Sequence, residues 1–197
     1  MRIAVFGDSI VWGAYDPEGG GWVTLLRNWC EEKQEDIEVY NLGVIGDTSE
    51  NILTRFDTEV AARKPDAIVF GVGINDTLYR GETMNTAVSF GRFRKNIATL
   101  FEKALAQSEH VFALGIGSVD ESKTMPWESD GSSYSNTNLR AYDAELEAVA
   151  RSCGVEYISL VNCLVGDDLA DGLHPNSQGH RKIFTLVKDT LAAQNIL

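Results

Sequence analysis

Arg2-Ile3-Ala4-Val5-Phe6-Gly7-Asp8-Ser9-Ile10 opens the chain with four consecutive apolar residues, a glycine and then a polar turn. Ile3–Phe6 is short, continuous and rich in β-branched and aromatic side chains, as a strand buried on both faces requires. Similar runs recur at Ile37–Tyr40, Ala67–Phe70, Val111–Leu114 and Glu156–Leu160. Between them, apolar residues fall at spacings of three and four, the period of a one-sided helix. Trp22, Leu25, Leu26, Trp29 and Cys30 form one such stripe, and Ile52, Leu53, Phe56 and Val60 a second. Phe93, Ile97, Leu100, Phe101 and Ala104 form a third; Leu139, Tyr142, Leu146 and Val149 a fourth; Ile183, Phe184, Val187 and Leu191 close the chain. Strand and helix thus alternate five times. That pattern predicts an α/β fold, a three-layer α/β/α sandwich around a five-stranded parallel sheet in the order 2-1-3-4-5.

The bulk properties narrow the function. A chain of 197 residues fits one domain over 1–197 with a sizeable core. Its net charge of −12 disfavours nucleic-acid backbones and anionic membrane surfaces as partners. No apolar run approaches the ~18 residues of a membrane span. The N-terminus enters the first strand without a basic region and long apolar stretch, so a cytoplasmic protein is expected. Cys30, Cys153 and Cys163 are widely spaced and odd in number, with neither a metal-ligand pattern nor a disulfide framework. No cofactor box stands out, and neither metal nor cofactor is expected.

Three polar blocks interrupt this scaffold: Gly7-Asp8-Ser9, Gly73-Ile74-Asn75-Asp76 and Asp171-Gly172-Leu173-His174-Pro175. In a parallel sheet the ligand site lies beyond the carboxyl ends of the strands. Ser9 follows the first strand, the 43–47 turn the second, Asn75 the third, and Asp171 with His174 the fifth. All therefore reach the same edge. A serine hydroxyl is a weak nucleophile at neutral pH and needs a base, which in turn needs an orienting group. Ser9, His174 and Asp171 supply these parts. Attack on a carbonyl creates an oxyanion, for which the Ser9 and Gly46 amides and the Asn75 side chain are suitable donors. Each block has a plainer use by itself: a serine N-cap, an aspartate turn, a helix cap at Asp47 or Thr48. Gly7 is expected to supply unusual backbone angles, and Pro175 the first turn of the closing helix.

In these three blocks and a fourth, Gly7-Asp8-Ser9-Ile10, Gly73-Ile74-Asn75-Asp76, Asp171-Gly172-Leu173-His174 and Gly46-Asp47-Thr48-Ser49, the chain resembles the SGNH hydrolases, the GDSL esterase/lipase family. Ile10 replaces the leucine of that family's name. The resemblance implies a flavodoxin-like sheet, Ser9 as nucleophile, His174 as base and Asp171 as its orienter. It also implies an oxyanion hole from Ser9, Gly46 and Asn75, and a small-molecule ester as substrate. Trp12, Leu78, Tyr79 and Trp127 neighbour these blocks or lie in the long irregular stretch 118–138, and are expected to line the substrate site. Bulky aromatics around a shallow cleft suggest short-chain or acetyl esters of carbohydrates or other small molecules. The competing reading is a flavodoxin-like binding or signalling domain using Asp8, which leaves the Asp171/His174 pair unexplained.

Overall fold

The structure, a computed structural model, describes residues 1–33, 36–81, 83 and 85–197. It opens with strand β1 (Arg2–Gly7), the short helix α1 (Ser9–Trp12), helix α2 (Trp22–Glu32) and strand β2 (Glu38–Gly43). Helix α3 (Ser49–Arg63) leads to β3 (Ala67–Gly71) and a small antiparallel pair, β4 (Tyr79–Arg80) and β5 (Asn85–Thr86). Helix α4 (Phe90–Leu105), strand β6 (His110–Leu114), short helix α5 (Glu121–Thr124), helix α6 (Asn136–Cys153), β7 (Glu156–Ile158) and α7 (Ser177–Ala193) complete the order.

Five strands pair in parallel as β2-β1-β3-β6-β7. Counted within that sheet alone this is the order 2-1-3-4-5, as expected. Side chains alternate between faces because the strand period is two. Ile3, Val5, Val69, Phe112 and Leu114 face α2 and α7, packing on Trp22, Leu26, Ile183 and Val187. Ala4, Phe6, Ile68, Phe70 and Ala113 face α3, α4 and α6, packing on Phe56, Phe93, Leu100 and Leu146. The Phe6 ring centroid lies 5.1 Å from Phe56 and 5.7 Å from Phe70, so aromatic packing anchors β1 next to the polar turn that follows it.

Two strand ends differ from the sequence reading. β2 runs on to Gly43, because its backbone stays paired with β1 as far as Gly7. β7 stops at Ile158 and leaves Ser159 and Leu160 outside the ladder. Among the described residues, no helix is long and apolar enough to cross a membrane.

Candidate active site

The turn after β1 is built from the backbone outward. Asp8 caps α1, its Oδ1 accepting the Ile10 N–H at 2.9 Å, which leaves Ser9 as the first helical residue. Ser9 is only 5% exposed. Gly7 serves this turn through space rather than through unusual backbone angles. A Cβ there would lie 2.2 Å from Val11 Cγ2 and 2.4 Å from the Gly71 carbonyl oxygen. Asn41 on β2 holds the far side, its Nδ2 donating to the Val11 carbonyl at 2.9 Å.

Ser9 meets a residue 165 positions away: its Oγ lies 2.9 Å from His174 Nε2. On the other side of the ring, Nδ1 lies 2.7 Å from Asp171 Oδ2. Asp171 Oδ1 accepts the backbone N–H groups of Leu173 (2.9 Å) and His174 (2.8 Å), so one short turn fixes both carboxylate and imidazole. Burial alone would raise the Asp171 pKa, but the His174 backbone, the His174 ring and the Leu173 amide outweigh it and hold the group below the ordinary carboxylate value. Because the carboxylate only accepts, Nδ1 carries the proton and Nε2 is the nitrogen that can accept from Ser9. Pro175 falls short of the closing helix. α7 starts at Ser177, capped by Asn176, whose Oδ1 accepts the Gln178 and Gly179 amides; Pro175 instead bridges Leu169 in extended backbone.

The opposite wall comes from the turns after β2 and β3. Gly46 sits at φ +82°, a left-handed conformation that a side chain would strain. Thr48 rather than Asp47 caps α3, with its N–H donating to Asn51 Oδ1 at 2.9 Å. Asp47 pairs instead with Arg55, Nε to Oδ2 2.8 Å, and Arg55 also donates to the Leu42 (2.7 Å) and Gly7 (3.2 Å) carbonyls. One guanidinium therefore links the Gly46 turn to the end of β1. Asn75 Nδ2 donates to the Asp47 carbonyl at 3.0 Å, and Asn75 Oδ1 accepts from the Tyr134 hydroxyl at 3.1 Å. Asp76 is fully buried, accepting the Ser49 amide and hydroxyl, while Asn96 Nδ2 donates to that hydroxyl at 2.9 Å.

Two aromatic rings flank the imidazole. Tyr15 stacks on His174 with centroids 5.0 Å apart and planes 24° from parallel. Tyr15 is 57% exposed and at φ +63°, rare for a residue with a side chain. The Trp127 ring centroid lies 6.2 Å from that of the imidazole, and the ring meets Tyr134 edge-on at 5.8 Å. The stretch 118–138 is thus built against the site. Asp120 N–H donates to the Gly172 carbonyl at 2.8 Å, and Ser133 exchanges backbone hydrogen bonds with Tyr79 at 2.8 and 2.9 Å. Of the other expected lining residues, Trp12 is 53% exposed on α1, Leu78 packs partly against the core, and Tyr79 holds the 118–138 stretch through that backbone pair. A cavity of about 30 Å³ lies beside the Ser9 turn, lined by Asp8, Ile10, Val72, Ile74, Leu114 and Ile116 among others.

Buried carboxyls cluster under the site. Burial pushes Asp8 up to about 7, opposed by the Ile10 amide and reinforced by the charges of Asp76 and Asp47. Burial likewise raises Asp76 to about 6 against the Ser49 hydrogen bonds. Among the described residues, no three His, Cys, Asp or Glu side chains group to hold a metal ion. Tyr15, Arg55 and Tyr134 escaped the sequence reading. An isolated tyrosine or a helical arginine has no spacing that marks it; only the folded backbone brings it to the site.

Comparison with known proteins identifies the family. The profile of the GDSL-like lipase/acylhydrolase family matches residues 5–182. Esterase TesA of Pseudomonas aeruginosa is 29% identical over 191 residues, spanning 97% of this chain and 88% of that protein. The crystal structure of TesA superposes over 100% of both chains at 26% identity, with a TM-score of 0.76. That of the lipase/acylhydrolase from Enterococcus faecalis gives 0.81 at 25% identity, over 98% of this chain and 96% of that one. The chain belongs to the GDSL-like lipase/acylhydrolase family and is an SGNH-type esterase.

Proposed function

We propose that the chain, acting as one catalytic domain over 1–197, hydrolyses carboxylic esters through an acyl-Ser9 intermediate. The observation that carries this is the unbroken relay from Ser9 Oγ to His174 Nε2 and from His174 Nδ1 to Asp171, at 2.9 and 2.7 Å. Ser9 Oγ adds to the ester carbonyl carbon while its proton passes to His174 Nε2. The carbonyl π pair moves onto oxygen, and the Ser9 and Gly46 amides with Asn75 Nδ2 stabilise that oxyanion. Collapse expels the alcohol, which takes the proton from Nε2. Water, deprotonated by the same nitrogen, then releases the acid and restores Ser9. Asp171 keeps the proton on Nδ1 and stabilises the transient imidazolium.

The substrates we propose are acetyl and other short-chain esters. Tyr15 and Trp127 crowd the imidazole, with ring centroids 5.0 and 6.2 Å from it, which restricts the room for a long acyl chain beside Ser9. Exposed Trp12, Tyr15, Val44 and Ile45 follow β1 and β2 and offer apolar surface on which a small organic ester or the C–H face of a sugar ester can pack. Within this reading, Tyr79 acts on the site through the 118–138 stretch that its backbone holds.

Purified wild type and Ser9→Ala, assayed on p-nitrophenyl acetate, butyrate and decanoate and on acetylated xylose, test both parts. Loss of all turnover in Ser9→Ala with a fall from acetate to decanoate is expected. Undiminished turnover in Ser9→Ala would refute the mechanism, and a preference for decanoate would refute the acyl range.

A further inference from the structure

We propose that Tyr134 is the positioning residue of the oxyanion site, its hydroxyl locking the Asn75 amide so that the second Nδ2–H is held for the oxyanion. The inference rests on the assignment of Asn75 as an oxyanion donor. A side-chain amide can sit in two orientations related by a half-turn, one offering nitrogen where the other offers oxygen. The Asp47 backbone carbonyl, 3.0 Å from Nδ2, can only accept and so demands the nitrogen. That orientation turns Oδ1 to the Tyr134 hydroxyl at 3.1 Å, which donates. The reverse orientation would set Oδ1 against the Asp47 carbonyl, acceptor against acceptor. The Asp47 contact selects the orientation, and the Tyr134 contact stops the amide plane from turning about that single hydrogen bond, as preorganised transition-state stabilisation requires.

Tyr134 is itself rigidly placed. It is 4% exposed, and its N–H donates to the Thr124 carbonyl at 3.1 Å. Its own carbonyl accepts the Thr124 hydroxyl at 2.9 Å, and the Trp127 ring meets it edge-on. Burial drives its phenol well above the ordinary tyrosine value, so the group stays a donor across the working range of an esterase. The hydroxyl contacts Asn75, not the reacting atoms, so its effect must pass through that amide.

The test is a double-mutant cycle on p-nitrophenyl acetate with Tyr134→Phe, Asn75→Ala and the pair, each checked by thermal melting. Tyr134→Phe should lower kcat about tenfold, the scale of one hydrogen bond, with KM unchanged. In the Asn75→Ala background the same change should cost less than twofold, because nothing remains to position. Wild-type kcat in Tyr134→Phe, or an equal loss in both backgrounds, overturns the proposal. If Asn75→Ala itself keeps wild-type turnover, the oxyanion assignment falls and the proposal with it; if only Tyr134→Phe is silent, the proposal falls alone. Should Tyr134→Phe fail to fold, 4-fluorophenylalanine at 134 fills the volume of the hydroxyl without its proton. It should lower kcat to the same extent, and wild-type kcat in that variant again overturns the proposal.

Discussion

The Tyr15 ring lies parallel to the His174 imidazole, centroids 5.0 Å apart and planes within 24°. Tyr15 reaches this place from a left-handed backbone conformation at φ +63°, in the loop that follows α1. A stacked pair of this kind contributes about 0.5–1.5 kcal/mol beyond its buried area, and more if the imidazole becomes cationic. Tyr15→Ala should therefore reduce kcat/KM roughly fivefold to tenfold, whereas Tyr15→Phe, which keeps the stack, should stay near wild type. Steady-state kinetics on one acetate ester decide between them.

His180 holds that loop from below. It is fully buried in α7, its Nε2 2.9 Å from the Ala14 carbonyl and its Nδ1 3.3 Å from the Trp22 amide. Replacing it with Phe leaves both backbone groups without their partner. A loss of about 2–3 kcal/mol in urea unfolding is expected, with reduced turnover as Tyr15 loosens. Burial depresses the His180 pKa against the pull of the Ala14 carbonyl and Asp16. The unfolded chain thus gains a proton near pH 6.5 that the folded chain refuses, so this contribution to stability is lost as pH falls from there toward the depressed folded value. His180→Phe should flatten that acid slope in melts between pH 7 and 5.

Asp171→Asn should fold, keep an oxygen for the Leu173 and His174 amides, and lose turnover on the order of 10⁴, because an amide can favour the wrong imidazole tautomer. Asn75→Ala should lose about 10²–10³ in kcat, the cost of one oxyanion donor. Fluorophosphonate labelling rates, read beside circular dichroism, separate these chemical losses from unfolding.

Asp8 gives a pH dependence of opposite sign. Its folded pKa of about 7 stands above the ordinary aspartate value of 3.8. Between those values the unfolded chain has released a proton that the folded chain retains, so stability falls as pH rises across the window and levels off above it. Asp8→Asn keeps an acceptor for the Ile10 amide and removes the buried charge. Its melting temperature should exceed that of wild type by several degrees at pH 8 and converge with it near pH 4. Equal melting temperatures at pH 8 would mean that Asp8 ionises without penalty.

Much of this architecture could be read before folding because it is periodic or local. Ile3–Phe6, Ala67–Phe70 and the Phe93–Ala104 stripe declare strand and helix through spacing alone. Asp171 and His174 are three residues apart, so their mutual geometry is a property of one turn. Tyr134 carried no such signal. It sits in an irregular stretch and meets Asn75, 59 residues away, only because Tyr79 and Ser133 pair their backbones. Gly7 was expected to matter through φ and instead matters because Val11 and Gly71 leave no room for a Cβ.

The amino-acid order alone determined the alternation of strand and helix, and with it the strand edge at which every polar block emerges, since periodicity and turn chemistry act over a few residues. Which groups touch was decided by tertiary structure. The approach of Ser9 to His174, the stacking of Tyr15 and the grip of Tyr134 on Asn75 depend on how helices seat against a twisted sheet. That seating is a collective outcome of packing both faces of one core, and no local spacing encodes it.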